Sequence, residues 1–154
     1  MDDLLGEPDA NAIATTVALL RSMAHGELAF NPAQLTLRGE SAEIYQLALK
    51  AHSLALEHTC SSILAGQGSE SDDAGDVGFH LGEGDYSKAE NVLKALSLPV
   101  TQTTTMNRPD GWTETLQNEY YFRIAGPNSR YIFFLVGQTD TGGWGGLVGA
   151  GVWT

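Results

Sequence analysis

The last forty-two residues, 113–154, constrain the fold more than any other part of this chain, because they read as three consecutive strands whose middle member is apolar on both faces. Residues 113–125 put Leu116, Tyr120, Phe122 and Ile124 on one face, and Thr115, Gln117, Glu119, Tyr121 and Arg123 on the other. Period-two alternation of this kind turns one face to a core and the other to water. Residues 130–138 (RYIFFLVGQ) have no polar position between Tyr131 and Val136, so both of their faces need a cover. Residues 147–153 (LVGAGVW) follow a glycine-rich turn. Leu147, Gly149, Gly151 and Trp153 share one face there; Val148, Ala150 and Val152 share the other. The glycine face leaves room for a bulky element to approach the backbone. Residues 100–106 are threonine-rich and predict a fourth strand, joined to the next by Pro109-Asp110-Gly111. Proline presets φ in such a turn and glycine permits φ > 0. Gly126-Pro127-Asn128 and the glycines of 142–146 make the other two turns, and four strands joined in this way form an antiparallel meander.

Upstream the period changes to that of helices. Ile13, Val17, Leu20 and Ala24 predict a helix over 9–25, with Gly26 as its C′ residue. Leu35 and Leu37 flank Thr36 in a short predicted strand. Residues 41–65 predict the longest helix. Its polar stripe is Glu43, Gln46, Lys50, Ser53, Glu57 and Ser61. One flank carries Ile44, Leu47, Ala48, Ala51, Leu54 and Ala55, and the other Tyr45, Leu49, His52, Leu56, Cys60 and Ile63. A helix this apolar around its girth is buried on two sides, by the sheet on one and by the first helix or a second subunit on the other. Residues 66–76 (GQGSESDDAGD) form an acidic, glycine-rich loop. A strand over 77–81 and a helix over 85–96, N-capped by Asp85 and ended by Pro99, complete the pattern. The expected fold class is therefore α+β: an antiparallel meander of four to five strands with two to three helices packed on one face. A helical half, about 9–65, precedes the acidic loop 66–76 and a strand-rich half, 77–154. At 154 residues this is one domain by length, large enough to bury roughly 70% of its extended-chain surface.

Composition narrows the partners. Eight Lys and Arg stand against nineteen Asp and Glu, a net charge of −11. That surface repels phosphate backbones and anionic lipid, so neither nucleic acid nor membrane is an expected partner. Cys60 is the one cysteine, which rules out an intramolecular disulfide. The first ten residues (MDDLLGEPDA) have acids where a signal peptide needs bases and lack an apolar h-region, so the expected location is the cytoplasm.

Candidate chemistry is sparse. Gly84-Asp85-Tyr86-Ser87-Lys88-Ala89 resembles the start of the second helix of a tetratricopeptide repeat over about sixteen residues. The resemblance stops upstream, where 76–83 read as loop and strand, and no second copy of the period exists. The segment is read instead as a capped amphipathic helix. His58 and Cys60 point to nearly opposite sides of a helix, while His52 and Cys60 share a side about 12 Å apart along the axis. A zinc ion needs its ligands about 2.0–2.3 Å away, so no metal site is expected. Glu70, Asp72, Asp73 and Asp76 lack the spacing of a calcium loop and read as solvated acids. His80 with Glu83 and Asp85 is the best catalytic candidate, since a carboxylate can orient an imidazole for acid–base work. The glycines around Trp144 lack the Lys-Ser or Lys-Thr and the helix of a phosphate loop; they read as a wide hairpin turn with Trp144 at its tip.

Two function classes are compatible with these residues, and no cofactor is expected in either. In the first, the chain is a non-catalytic protein-binding or assembly module, homodimeric and with a protein partner. Small acidic secretion chaperones and toxin-immunity proteins are similar in gross properties only. In the second, it is a small enzyme or ligand-binding protein with a pocket between the long helix and the sheet, lined by Tyr120, Tyr121, Arg123, His80 and Trp144.

Overall fold

A computed structural model describes residues 10–23, 42–57, 63–64, 76–96, 98–107, 112, 116–126, 130–140 and 143–152. In chain order these form α1 (Ala10–Met23), α2 (Ala42–Glu57), β1 (Val77–Gly82), α3 (Ala89–Ala95), β2 (Thr104–Met106), β3 (Gln117–Ala125), β4 (Arg130–Gln138) and β5 (Trp144–Val152). The fold is α+β. All five strands form one antiparallel sheet in the order β1-β5-β4-β3-β2. The last four make the expected meander, and β1 adds to the outer side of β5.

The apolar run of β4 decides the layering. Ile132, Phe134 and Val136 enter one core and Phe133 and Leu135 the other, as period two requires. On the first face, called face A, they meet Leu20 of α1, Val92 and Leu93 of α3, Phe79, Phe122, Ile124, Trp144, Val148 and Ala150. Phe122 stacks on Phe134, its direct cross-strand partner, with ring centroids 4.5 Å apart. On the opposite face B they meet Ile44, Leu47, Ala48, Ala51 and Ala55 of α2. The helices expected on one face are thus shared between two. A β4 with no polar side leaves no face for water.

Two bulges set which side chains face where. Gln117 pairs with Gln138 but Tyr120 with Val136, so β3 carries one extra residue. Asn118 takes φ +54° there, which asparagine tolerates better than most residues. The Glu119 carboxylate fastens the bulge, accepting the Leu116 N–H at 2.9 Å and the Tyr121 hydroxyl. As a result Leu116 lies in the face B core, not beside Phe122 and Ile124 as simple alternation predicts. It packs onto Gly137, where a Cβ would fall 2.6 Å from Leu116 Cβ. The second bulge, in β1 between His80 and Gly82, uses the left-handed φ of +80° at Gly82.

Gly145, read from sequence as a turn residue, is a strand position that α2 approaches closely: a Cβ there would lie 2.9 Å from Ile44 Cδ1. The predicted helix over 41–65 does not reach Ile63 and Leu64, which form a turn. Asp76 Oδ2 takes the Ile63 N–H at 2.7 Å, so that donor is lost to a helix and Asp76 is not a free loop acid. The predicted helix over 85–96 begins only at Ala89. Asp85 does not cap it: its Oδ1 accepts from Ser87 Oγ at 2.8 Å, and the extended Lys88 precedes the first turn. Residues 100–103 do not join β2, whose ladder to β3 starts at Thr104. The predicted strand at Leu35–Leu37, together with His58, Cys60, Glu70, Asp72, Asp73 and Trp153, lies outside the described residues. Among the described residues, no helix is long and apolar enough to cross a membrane.

Candidate functional site

The residues singled out from sequence divide between the two faces. Tyr120 is on face A, packed against the core there, and its hydroxyl donates to the Tyr86 carbonyl at 2.6 Å. Burial, and after it the nearby Asp85 carboxylate, raises the Tyr120 phenol well above the usual tyrosine range. It is a neutral hydrogen-bond donor at any ordinary pH, tying β3 to the segment before α3. Trp144 is not at a loop tip. The hairpin closes earlier, with the Thr139 N–H donating to the Gly143 carbonyl at 2.7 Å. Trp144 then opens β5 with the same parity as Val148 and Ala150, and its side chain is 7% exposed in the face A core.

His80, Glu83 and Asp85 do not assemble. Phe79 faces A, so His80 faces B, where its Nε2 lies against Gly143. Asp85 neighbours Tyr120 on the other side of the sheet, and Glu83 is exposed. Among the described residues no hydrogen bond or ion pair joins His80 to either acid. No group of three His, Cys, Asp or Glu among the described residues is placed to hold a metal ion.

Tyr121 and Arg123 do come together, on face B. Tyr121 is buried with its hydroxyl on Glu119. Arg123 is half-buried and stacks on Tyr131, its guanidinium carbon 4.1 Å from the ring centroid. Cation–π contact at that distance holds a guanidinium flat on the sheet. Two residues that sequence reasoning passed over complete this surface. Trp112, 3% exposed, is in the face B core with the Lys50 ammonium 5.0 Å above its ring. Tyr131 packs against the same cluster. On the side of the sheet that α2 covers, Trp112, Leu116, Ile63 and Leu64 share one core with that helix. Trp112 Nε1 and Arg123 Nε are both buried donors without an acceptor. An isolated tryptophan just after Pro109-Asp110-Gly111 gives no periodic signal, so sequence reasoning does not single out Trp112.

The other feature is the sheet edge. α2 lies over β1 and β5, and among the described residues no helix lies on face B near β2. Five consecutive residues, Thr101, Gln102, Thr103, Thr104 and Thr105, are exposed, and Val100 before them is 51% exposed. Val100 is the one large apolar side chain so exposed among the described residues. β2 pairs with β3 on one side and with no other described strand on the other. No family model, curated protein or solved structure matches this chain.

Proposed function

We propose that the chain is a non-catalytic protein-binding or assembly module of the cytoplasm, one that self-associates and takes a protein partner. It is secretion-chaperone-like or immunity-protein-like in gross properties only. The observation that carries this reading is the edge strand β2. It offers a row of backbone donors and acceptors beside exposed, uncharged, β-branched side chains. Such an edge is a template for strand addition, and proteins that need to avoid pairing place lysine, proline or a bulge within it. Residues 100–107 contain none of these. Tyr120, Tyr121 and Trp144, meanwhile, are engaged in hydrogen bonds or core packing of the fold itself. The test is site-specific photo-crosslinking in the native cells from Thr103, with the exposed Lys94 of α3 as control. A discrete protein adduct from Thr103 alone is expected. No adduct, or equal adducts from both positions, would sink the reading.

One observation favours the second reading, a small-ligand-binding protein or small enzyme. The buried donors Trp112 Nε1 and Arg123 Nε lack acceptors on the same face. A carboxylate or phosphate would supply them. A thermal-shift series of small carboxylates and phosphates, repeated on Arg123→Met, decides it: stabilisation that disappears with the arginine supports this reading, and none in the parent chain removes it.

A further inference from the structure

We infer that the occupant of the β2 edge is a second copy of this chain, and that two β2 strands pair antiparallel to join two five-stranded sheets into one. This rests on the binding-module reading above and names its partner. The first support is charge. Residues 99–107 (PVTQTTTMN) contain no charged side chain in a protein of net charge −11. Residues 1–97 hold five Lys and Arg against fifteen Asp and Glu, whereas residues 98–154 hold three against four. Nearly all the net charge therefore lies in the part of the chain that supplies the helices and β1.

The sheet order turns this into geometry. β1 is at one edge and β2 at the other. With strands about 4.8 Å apart, β1 stands about 19 Å from β2 in one copy. Joined through β2, the two β1 strands stand nine spacings, about 43 Å, apart. The Debye length at physiological salt is about 8 Å, so the acids that flank the two β1 strands, Asp76 and Glu83, are screened from their copies. Any contact through the opposite edge would bring them together. That edge is also occupied: α1 and α2 both lie against β1, and Asp76 and Glu83 flank it.

The side chains fit self-pairing as well. Across a two-fold axis normal to the sheet, threonines of the two strands face one another, and Thr–Thr pairs are among the favourable cross-strand combinations. Met106, half-buried on face B beside Tyr121, and the Arg123–Tyr131 stack lie next to the junction on the side that α2 leaves open. The uncovered strip is one short strand and its flank, so the contact falls at the small end of interface sizes, below about 1,200 Å², where association is micromolar. The flank of α2 expected from sequence to bury a second subunit is not the contact in this arrangement.

The experiment is sedimentation equilibrium of the full chain from about one to several hundred micromolar, the range a small interface demands. A mass rising from one chain to two is expected. It should hold or strengthen when salt is raised, because no ion pair makes the contact. Thr103→Lys/Thr105→Lys should remain monomeric throughout with an unchanged circular dichroism spectrum, and Thr103→Val/Thr105→Val should dimerise like the parent. Amide hydrogen exchange on the unaltered chain covers the case in which the lysine variant fails to fold. Protection at residues 101–106 should rise with concentration. A monomer at every concentration overturns the inference, as does protection rising in α2 and not in β2. A monomeric chain that still gives a Thr103 adduct to a different protein overturns the second copy and leaves the binding-module reading standing.

Discussion

Glu119→Ala is the substitution that asks most of this structure. The β3 bulge is what moves Leu116 from the face of Phe122 to the face of Tyr121, and the Glu119 carboxylate is its fastening. Among the described residues it accepts from the Leu116 N–H at 2.9 Å and from the Tyr121 hydroxyl. Hydrogen bonds to a charged group contribute about 1.5–3 kcal/mol each. Glu119 is half-buried, which argues for the lower end, so the two together come to about 3 kcal/mol. Against this, deleting one negative charge from a −11 surface relieves repulsion by no more than about 0.5 kcal/mol. The expected net loss is about 2.5 kcal/mol, a large part of a typical 5–15 kcal/mol stability. For a chain of this length that lowers Tm by roughly 5–10 °C. Urea unfolding followed by circular dichroism measures it. Glu119→Gln should recover more than half the loss, because its Oε1 still accepts from Leu116 and its amide can donate to the Tyr121 oxygen. An alanine variant with an unchanged midpoint would refute the idea that the carboxylate holds the bulge. A glutamine variant as unstable as alanine would show that charge, and not the pair of bonds, is what matters.

Other outcomes follow from single contacts. The Tyr120 phenol is raised in the folded chain by burial and then by Asp85, so the unfolded chain loses that proton first as pH climbs past about 10. The stability this group contributes is complete below that pH and falls by up to about 1.4 kcal/mol per unit above it. Tyr120→Phe should cost about 1 kcal/mol at neutral pH through the lost bond to the Tyr86 carbonyl, yet show a shallower alkaline decline; parallel declines would contradict the assignment. Gly145→Ala places a Cβ 2.6 Å from the Phe79 carbonyl oxygen and 2.9 Å from Ile44 Cδ1, and should destabilise by about 1–3 kcal/mol. Adding Ile44→Val removes one of the two clashes and should return part of that loss in a thermal melt. Exhaustive dialysis against EDTA should leave Tm where it was, and a fall of many degrees would show that a metal supports the fold.

The strand half of the fold is legible because period two is a local signal. Residues 117–125 and 130–138 alternate or stay apolar in a way that no helix would, and Gly126-Pro127 marks a break between them in the sequence. What alternation cannot show is a bulge. Leu116 has the parity of Phe122, and nothing near it distinguishes a regular strand from one that gains a residue at Asn118. The late start of α3 has a related reason. Asp85 is a good cap by type, but its carboxylate has a nearer partner in Ser87, and a hydroxyl two residues away competes with backbone donors. That Ile63 is not helical reflects a contact thirteen residues away in sequence, Asp76 on its N–H, which no local pattern encodes.

The candidate surface was legible in pieces and not as a surface. The sequence suggests an exposed tip for Trp144 because Gly145 and Gly146 look like turn residues. In a strand they are instead positions of close approach: at Gly146 even a Cβ would overlap the Leu135 carbonyl. Counting parity back from Val148 and Ala150 would have put Trp144 on their face, and hence in a core. β2 shows the opposite case. Its threonines read plainly as strand, but whether a strand is central or at an edge depends on which others pair with it, and here β1 joins the sheet at β5, far from β2 in space and close to it in sequence. A polar, uncharged strand at the centre of a sheet needs no explanation. The same strand at the edge, uncharged in a protein whose acids are concentrated in residues 1–97, is a surface on which like molecules can meet without opposing charge on the strand itself. Edge position and charge segregation must be taken together, because a neutral strand flanked by the acids of β1 would repel its own copy, and a charged β2 would block pairing wherever the acids lay.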